Sequence, residues 1–379
     1  MKKTTTKVKQ ERKQTFFTRT KSAIFVLGFY LLYVLFLLLS DQRWMPFGND
    51  KLSFVLNFCN VLLLIPIIYL VAKEITNLCF PNQKGIFWYT VCALFVEMVG
   101  TSMYLLIMRY SIFGNFQKVA IFNNPFDWYL VISLSGIVFF TIVSTLVWII
   151  MGRHITYVGK KTRIWFPILV FIMNTFFVGF IYTTIIHSWT TFMFLVLMSN
   201  LSDVFAYIGG VNFGKHKLAP LVSPKKTWEG LGFGIAVSLA IMCGIYGLFF
   251  INGAETFNET HSLYCFLGNQ CCSAIKDKGL MNLQSYYWAI YVGVTLLLII
   301  VSVCGDLFFS WIKRRFNIKD FGNLLPGHGG ILDRLDALIF IFTFYFLATV
   351  IIQLVMVGTG HGNDTGLRFL WGTPFNSAF

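Results

Sequence analysis

The sequence predicts an all-α, polytopic integral membrane protein with about nine transmembrane helices. Of its 379 residues, 56% are hydrophobic and only 12% are charged, whereas roughly a quarter of the residues in a soluble domain carry charge. Apolar runs of about 20 residues, long enough to cross a bilayer core, recur along the chain. The first run has full span length and lacks a small-residue cleavage pattern, so we expect no cleavable signal peptide.

The chain begins with a polar segment and continues as a series of apolar runs. Residues 1–22 contain eight Lys or Arg and predict a disordered basic arm that can touch acidic lipid headgroups. The apolar runs predict spans at 23–40, 53–72, 85–107, 128–151, 164–186, 190–210, 231–251, 287–311 and 336–357.

The polar residues that could take part in catalysis are concentrated after residue 198, so we expect different functions for the two halves of the chain. We expect residues 23–186 to form an N-terminal transmembrane scaffold of about five spans. Residues 187–358 are the expected catalytic transmembrane region, and 359–379 the C-terminal tail.

The distribution of basic residues predicts the orientation. With the N-terminus inside, 23 of the 30 Lys and Arg lie in inner segments, which are 1–22, 73–84, 152–163, 211–230 and 312–335. This positive-inside bias predicts a cytoplasmic N-terminus, cytoplasmic basic loops and an active site on that side. The net charge of +14 is thereby explained without nucleic acid. An endoplasmic reticulum membrane and a bacterial plasma membrane both fit.

Two further features of the sequence have more than one interpretation. Glu97 lies within the third predicted span, where a lone acid either has a function or satisfies a neighbouring helix. Cys265, Cys271 and Cys272 share one polar loop and can form a disulfide only if that loop faces an oxidising compartment.

A first candidate group lies at the inner end of the sixth predicted span. Asn200 and Asp203 are three residues apart, so on a helix they share a face. They form either an ordinary polar helix end or part of a functional site, and the unusual loop that follows favours function for Asp203.

That loop is the second group, which runs from Gly214 to Gly230 and ends in SPKKTWEG from Ser223 onward. Hydroxyls and backbone N–H groups near a helix start, together with Lys225 and Lys226, are typical of an anion site. Ser223 suits a helix cap and Pro224 a first helical turn. An ordinary basic cytoplasmic loop is the alternative.

The third group runs from Gly305 to Asp336 between the last two predicted spans. Asp306 is expected at the end of the eighth span, and Asp333 and Asp336 at the start of the ninth. Carboxylates delivered from two helices suit Mg²⁺, which prefers oxygen ligands. His328, in a glycine-rich turn, suits a hydrogen-bonding partner or a phosphate contact. The alternative is a self-compensating salt-bridge cluster, because the same segment supplies the cations Lys313, Arg314, Arg315 and Lys319.

Carboxylates for a divalent metal and cations for phosphates together describe a phosphoryl- or nucleotidyl-transfer site. The chain has no GxxxxGK[ST] motif, no kinase motifs and no GxSxG elbow. A soluble-type nucleoside triphosphatase fold is therefore not supported. Because the charged motifs border apolar spans, we expect the acceptor to be a lipid.

The motif from Ser310 to Asp336 resembles the signature of the phosphatidate cytidylyltransferase (CDP-diacylglycerol synthase) family. It reads SxxKRxxxxKDxGxxLPxHGGxxDRxD over 27 residues. The upstream Asp203-x-x-Ala206-Tyr207 and the SPKKTWEG stretch also resemble that family. The matching motifs cover about 190–345, and the basic arm, the 252–286 loop and the tail are not matched.

The resemblance implies that CTP and phosphatidate give CDP-diacylglycerol and pyrophosphate with Mg²⁺, as one or two ions. In that light Asp306, Asp333 and Asp336 are the expected metal ligands and, with Lys313, the catalytic residues. We expect CTP or pyrophosphate oxygens on Ser223, Lys225, Lys226 and Thr227. We expect the phosphatidate headgroup on Lys313 and Arg314, with Lys319, His328 and Asp203 also binding substrate, and Asp320 without a firm role.

Two other functions remain to be weighed. A transporter with ion-coupling acids would give a similar hydropathy pattern, although transporters usually show related halves and broken helices. A CTP-dependent lipid kinase would transfer a phosphoryl group rather than CMP. The sequence shows no dimer interface, so whether the chain forms a homodimer stays open.

Overall fold

A computed structural model describes residues 28–40, 50–81, 83–110, 160–185, 189–252, 281–322 and 329–358, together with a few helical positions between 135 and 146. The first helix, α1, is Gly28–Ser40. The next helices are α2 (Asp50–Cys79), α3 (Lys84–Tyr110), α4 (Lys160–Ile185) and α5 (Trp189–Phe213). A small hairpin of β1 (Lys217–Ala219) and β2 (Ser223–Thr227) follows, and then come α6 (Trp228–Asn252), α7 (Met281–Arg315) and α8 (Leu332–Gly358).

The all-α polytopic architecture predicted from the sequence is confirmed. Within the described residues, seven helices are long and apolar enough to cross a membrane, and α1 is a shorter apolar helix. In a bilayer, a helix satisfies its own backbone hydrogen bonds, which is why apolar runs of this length fold in this way. The basic arm, the cysteine loop, the tail and most of the predicted span at 128–151 lie outside the described residues. A count of nine spans therefore stays a prediction.

Several helices extend beyond the predicted spans into charged sequence. Helix α2 continues to Cys79, so the loop predicted from residue 73 was wrong at its start. Helix α7 continues to Arg315, which places Asp306 inside the helix rather than at its end. Charged residues end a hydropathy run without ending a helix, because the helix keeps its backbone hydrogen bonds beyond the hydrocarbon core.

The hairpin corrects a second prediction. β1 and β2 pair antiparallel with Lys217 opposite Thr227 and Ala219 opposite Ser223. Ser223 and Pro224 therefore belong to a strand, and the predicted helix cap and first turn at these positions were wrong. Pro224 is compatible with this ribbon because a proline is tolerated on an edge strand, where its nitrogen need not donate.

The described residues group into two compact units. The first comprises the described residues within Met1–Gly100, Gly136–Phe171 and Ile312–Asp336, and the second comprises those within Thr101–Ser135, Ile172–Trp311 and Ala337–Phe379. Each unit therefore draws on both halves of the sequence. The functional division into a scaffold up to residue 186 and a catalytic region after it stays a prediction.

Aromatic side chains fill the core of each unit. In the first unit, the rings of Phe80 and Phe166 meet edge to face with centroids 5.0 Å apart. In the second unit, Phe180 lies 5.0 Å from both Phe192 and Phe342, which joins α4, α5 and α8. Such ring pairs contribute about 0.5–1.5 kcal/mol beyond the area that they bury.

Helix α7 ends in a hydrogen-bonded turn that reverses the chain. The Ile318 N–H donates to the Lys313 carbonyl over 2.9 Å, and the Asn317 N–H donates to the Arg314 carbonyl over 3.1 Å. This is the pattern of a Schellman cap, and Asn317 supplies the left-handed residue with a φ of 57°. The cap fixes the direction in which the chain leaves α7, just after Lys313.

Candidate active site

A first group of charged side chains lies in the second unit. We call it the hairpin cluster, and it consists of Asp203 on α5, Lys226 on β2, and Asp306 and Ser310 on α7. The Lys226 ammonium donates a hydrogen bond to Asp306 Oδ2. The Ser310 hydroxyl donates to Asp306 Oδ1 over 3.4 Å. The Lys226 and Asp306 side chains are 26% and 20% exposed, so both remain accessible to a ligand.

Asp203 is the second carboxylate of the hairpin cluster. The charges of Lys226 and Asp306 both act on it electrostatically. Its predicted partner Asn200 has a different task, because the Asn200 amide donates to the Val196 carbonyl of the same helix over 2.9 Å. Two carboxylates, those of Asp306 and Asp203, therefore interact with one ammonium.

Strand geometry separates the two lysines of the hairpin. Successive side chains of a strand point to opposite faces. Lys225 is exposed on β2, whereas Lys226 is half-buried and reaches α7. The hairpin thus presents one cation to solvent and holds the other against a carboxylate.

Glu229 fastens the start of the hairpin to the first turn of α6. Its carboxylate accepts the Lys215 N–H at 3.0 Å and the His216 N–H at 3.1 Å. The His216 ring nitrogen Nδ1 lies 2.5 Å from Glu229 Oε1. These contacts hold the residues just before β1 against the first turn of α6, which directly follows the strand that carries Lys226.

Thr227 ends the strand and caps the helix that follows. Its side chain is buried, and its Oγ1 accepts the Gly230 N–H over 3.2 Å. This is an N-cap, in which a hydroxyl satisfies one of the unpaired N–H groups at a helix start. The hydroxyl is thus used within the fold, and the predicted contact of Thr227 with phosphate stays a prediction.

Replacing Thr227 by valine should lower the stability of the protein by about 1 kcal/mol, because the cap is lost while the shape is kept. The measurement is thermal unfolding in detergent. Thr227→Ser is the matched control, since it keeps the hydroxyl. Equal unfolding temperatures for wild type and Thr227→Val would show that the cap does not stabilise α6.

A second group lies in the first unit. We call it the loop cluster. It consists of Glu74 on α2, Lys313 on α7 and Asp333 on α8, together with Phe321 and Gly330 from the segment between α7 and α8. The Lys313 ammonium donates to Asp333 Oδ1 over 2.9 Å. Asp333 Oδ2 accepts the Phe321 N–H at 2.8 Å and the Gly330 N–H at 2.9 Å. The side chains of Lys313 and Asp333 are only 12% and 6% exposed. The centroid of the Phe321 ring lies 5.4 Å from the Lys313 ammonium.

The remaining predicted residues surround the loop cluster or lie outside the described chain. The Arg314 guanidinium donates to the Ile318 carbonyl over 3.4 Å at the end of α7. Lys319 and Asp320 are exposed in the segment that follows, and Asp336 lies one turn after Asp333 on α8. His328 is outside the described residues. Its neighbour Gly329 has a φ of 85°, a conformation that glycine adopts without strain.

Sequence reasoning missed Glu74, which is only 6% exposed. Its Oε1 accepts the Ile331 N–H and its Oε2 accepts the Leu332 N–H, each over 2.8 Å. The only signal in the sequence was an acid next to an apolar run. The predicted span ended at residue 72, so Glu74 was assigned to a loop, whereas α2 continues to Cys79. Glu97, the acid that was noticed, instead lies against Gly136, where an added Cβ would be 3.0 Å from Glu97 Oε1.

The carboxylate oxygens of the hairpin cluster are of the type that binds Mg²⁺. Within the described chain, no group of three or more His, Cys, Asp or Glu is close enough to hold a metal ion. Asp203 and Asp306 supply two carboxylates, which suits Mg²⁺ because this ion usually takes one or two carboxylates together with water and substrate phosphates. The predicted set of Asp306, Asp333 and Asp336 stays a prediction.

A protein-family model matches most of the chain. The model, described as the cytidylyltransferase family, matches residues 51–352. This range contains all described residues of the hairpin cluster and the loop cluster.

Curated proteins are similar to part of the chain. A putative phosphatidate cytidylyltransferase of Mycoplasma pneumoniae is 34% identical over 187 residues, covering 46% of this chain and 47% of its own length. The phosphatidate cytidylyltransferase of Rickettsia bellii is 35% identical over 156 residues, covering 41% and 54%. That of Staphylococcus aureus strain COL is 36% identical over 174 residues, covering 45% and 54%. The chain thus spans about half the length of these relatives.

Proposed function

Because the chain belongs to the cytidylyltransferase family, whose model matches residues 51–352, we propose that it transfers CMP from CTP to phosphatidate. The products are CDP-diacylglycerol and pyrophosphate, and the enzyme is a nucleotidyltransferase of phospholipid biosynthesis. The names of the curated relatives support this acceptor and this reaction.

One observation of the structure carries the proposal. Lys226, on a hairpin at the start of α6, is held by Asp306 next to Asp203. An ammonium that is paired but still partly exposed can exchange a carboxylate for nucleotide phosphates. Incoming phosphates would compete for Lys226, which leaves the two carboxylates free to take a cation.

The reaction needs positioning and charge neutralisation more than a strong base. A phosphate oxygen of phosphatidate attacks the α-phosphorus of CTP, and a new P–O bond forms. The bond from that phosphorus to the oxygen bridging to the β-phosphate breaks, and pyrophosphate leaves with the electron pair. A phosphomonoester is already a nucleophile near neutral pH, so the protein must chiefly overcome repulsion between two anions.

The residues divide between the two substrates. Lys226 serves the phosphates of CTP beside Asp306, and Ser223 and the exposed Lys225, on the opposite face of β2, remain proposed contacts of CTP or pyrophosphate. Lys313, Arg314 and Lys319 serve the phosphatidate headgroup, with His328 beside them in the sequence. Thr227 acts by placing the start of α6.

We propose Mg²⁺ as the cofactor, with Asp306 and Asp203 as carboxylates that would hold it. Bound there, the ion would neutralise charge on the nucleotide phosphates. Asp333 and Asp336 remain proposed ligands. Asp333 in addition accepts three hydrogen bonds from the protein, which gives it a structural task.

We place the active site on the cytoplasmic side of the membrane. The support is the bias of Lys and Arg toward the inner segments of the sequence. It agrees with CTP as a substrate, because nucleoside triphosphates are cytoplasmic.

The test is an assay of purified protein with CTP labelled at the α-phosphate, Mg²⁺ and phosphatidate in mixed micelles. Labelled CDP-diacylglycerol together with pyrophosphate is expected. Labelled CDP together with a phosphorylated lipid would instead identify a lipid kinase. If CTP were not consumed, the proposal would be overturned and the transporter interpretation would be favoured.

Lys226→Ala should raise the KM for CTP about 10- to 100-fold, because a charge-assisted contact with phosphate is lost. The KM is measured by varying CTP at saturating phosphatidate. Lys217→Ala is the matched control, since Lys217 is an exposed lysine on β1 of the same hairpin. A KM for CTP that is equal in the two variants would remove Lys226 from the nucleotide site.

A further inference from the structure

The carboxylate of Glu74 connects two distant parts of the sequence within the first unit. It lies in the penultimate turns of α2, and its two oxygens accept the N–H groups of Ile331 and Leu332 at the start of α8. The first N–H groups of a helix have no partner within the helix. Glu74 supplies those partners and places a negative charge where the helix dipole favours one.

Two glycines of the loop make room for this carboxylate. A Cβ added to Gly322 would lie 2.7 Å from Glu74 Oε1, and one added to Gly330 would lie 2.5 Å from the same atom. A side chain at either position would therefore require the Glu74 carboxylate to move from its two N–H donors. This gives a physical reason for two glycines of the motif between Ser310 and Asp336.

The anchored segment, residues 330–332, also contacts Asp333, which in turn binds Lys313. Gly330 donates its N–H to Asp333 Oδ2, and Asp333 Oδ1 accepts the Lys313 ammonium. Each link is direct, so the chain of contacts runs from Glu74 through residues 330–332 to Asp333 and then to Lys313. Displacing the Glu74 carboxylate would move the acceptor that fixes the position of the Lys313 ammonium.

We propose that Glu74 is a positioning residue that sets the geometry of Asp333 and Lys313 by holding residues 330–332 against α2. The effect on catalysis rests on the proposed function, since it assigns Lys313 to the phosphatidate headgroup. The contact itself can be tested without that assignment.

The first experiment measures amide hydrogen exchange of the detergent-solubilised full-length protein. In Glu74→Gln the side chain keeps one acceptor, and its NH₂ group faces a backbone donor. Exchange at Ile331 and Leu332 is expected to rise about 10-fold, because contacts to a charged acceptor are lost. Glu97→Gln is the matched control, as Glu97 is a second buried acid of the same unit. Equal exchange at these amides in the two variants would overturn the proposal.

The second experiment separates positioning from general instability. Glu74→Gln should raise the KM for phosphatidate and lower kcat/KM for phosphatidate about 100-fold through misplacement of the bound group, with the KM for CTP unchanged. Loss of active protein would instead lower kcat and leave both KM values unchanged, and that result would contradict the positioning role. Inactive wild-type protein would refute the proposed function, while the exchange result would still decide whether Glu74 holds the segment.

Gly330→Ala provides a test of the space argument. It should reproduce the loss of phosphatidate kcat/KM in the wild-type background and should add little to Glu74→Ala, where the carboxylate is gone. Such non-additivity is the mark of residues in direct contact. Additive losses would show that Gly330 is small for another reason and would count against the proposed contact.

Discussion

Asp306→Asn is expected to lower kcat about 1,000-fold while the protein remains folded. Asp306 accepts the Lys226 ammonium and acts on Asp203, so it lies at the centre of the hairpin cluster. Asparagine keeps the size of the side chain and removes its charge. The variant would thus lose both the proposed ligand for Mg²⁺ and the partner that places Lys226.

The measurement is the rate of CDP-diacylglycerol formation over a range of Mg²⁺ concentrations. If Asp306 holds the ion, the variant will need more Mg²⁺ to reach half of its own maximal rate. Size-exclusion elution and thermal unfolding in detergent serve as the folding controls. Near-normal turnover with an unchanged Mg²⁺ requirement would rule out the assignment.

The architecture was predictable because the bilayer restricts what an apolar run can do. Runs such as 164–186 and 190–210 correspond closely to α4 and α5, since a lipid-exposed segment must satisfy its own backbone hydrogen bonds. Their ends were less predictable. The charges at Lys73 and Glu74 lower the hydropathy of α2, but the helix continues to Cys79.

The hairpin was not predictable from local pattern alone. Ser223 followed by Pro224 reads equally well as the start of a helix, and this was the interpretation that proved wrong. The cap is formed by Thr227 instead, four residues later. Pairing of β2 with β1 decides the matter, and pairing depends on residues outside the local motif.

The candidate site was predicted in its residue types and only partly in its contacts. Charge near apolar sequence drew attention to Asp203, Lys226 and Asp306, which interact with one another in the structure. Glu74 could not be paired with Leu332 from one sequence, because 258 residues separate them and no motif surrounds Glu74. Long-range contacts of this kind depend on packing rather than on local periodicity.

Asp333→Asn is expected to lower kcat about 100- to 1,000-fold and to loosen the segment between α7 and α8. Three donors converge on this carboxylate, namely the Lys313 ammonium and the N–H groups of Phe321 and Gly330. An asparagine offers one acceptor oxygen, and its NH₂ group would face a donor. At least one buried contact would therefore become repulsive, which is costlier than simple loss of a hydrogen bond.

Limited proteolysis and turnover together test this expectation. Lys313→Met is the informative comparison, because it removes the ammonium but leaves both backbone N–H groups on Asp333. We expect Lys313→Met to raise the KM for phosphatidate while the segment stays protected from protease, and Asp333→Asn to lose both properties. If Asp333→Asn kept normal turnover and protection, the three converging hydrogen bonds would not be the source of that protection. In that case Asp333 would also lose its assignment as a catalytic residue.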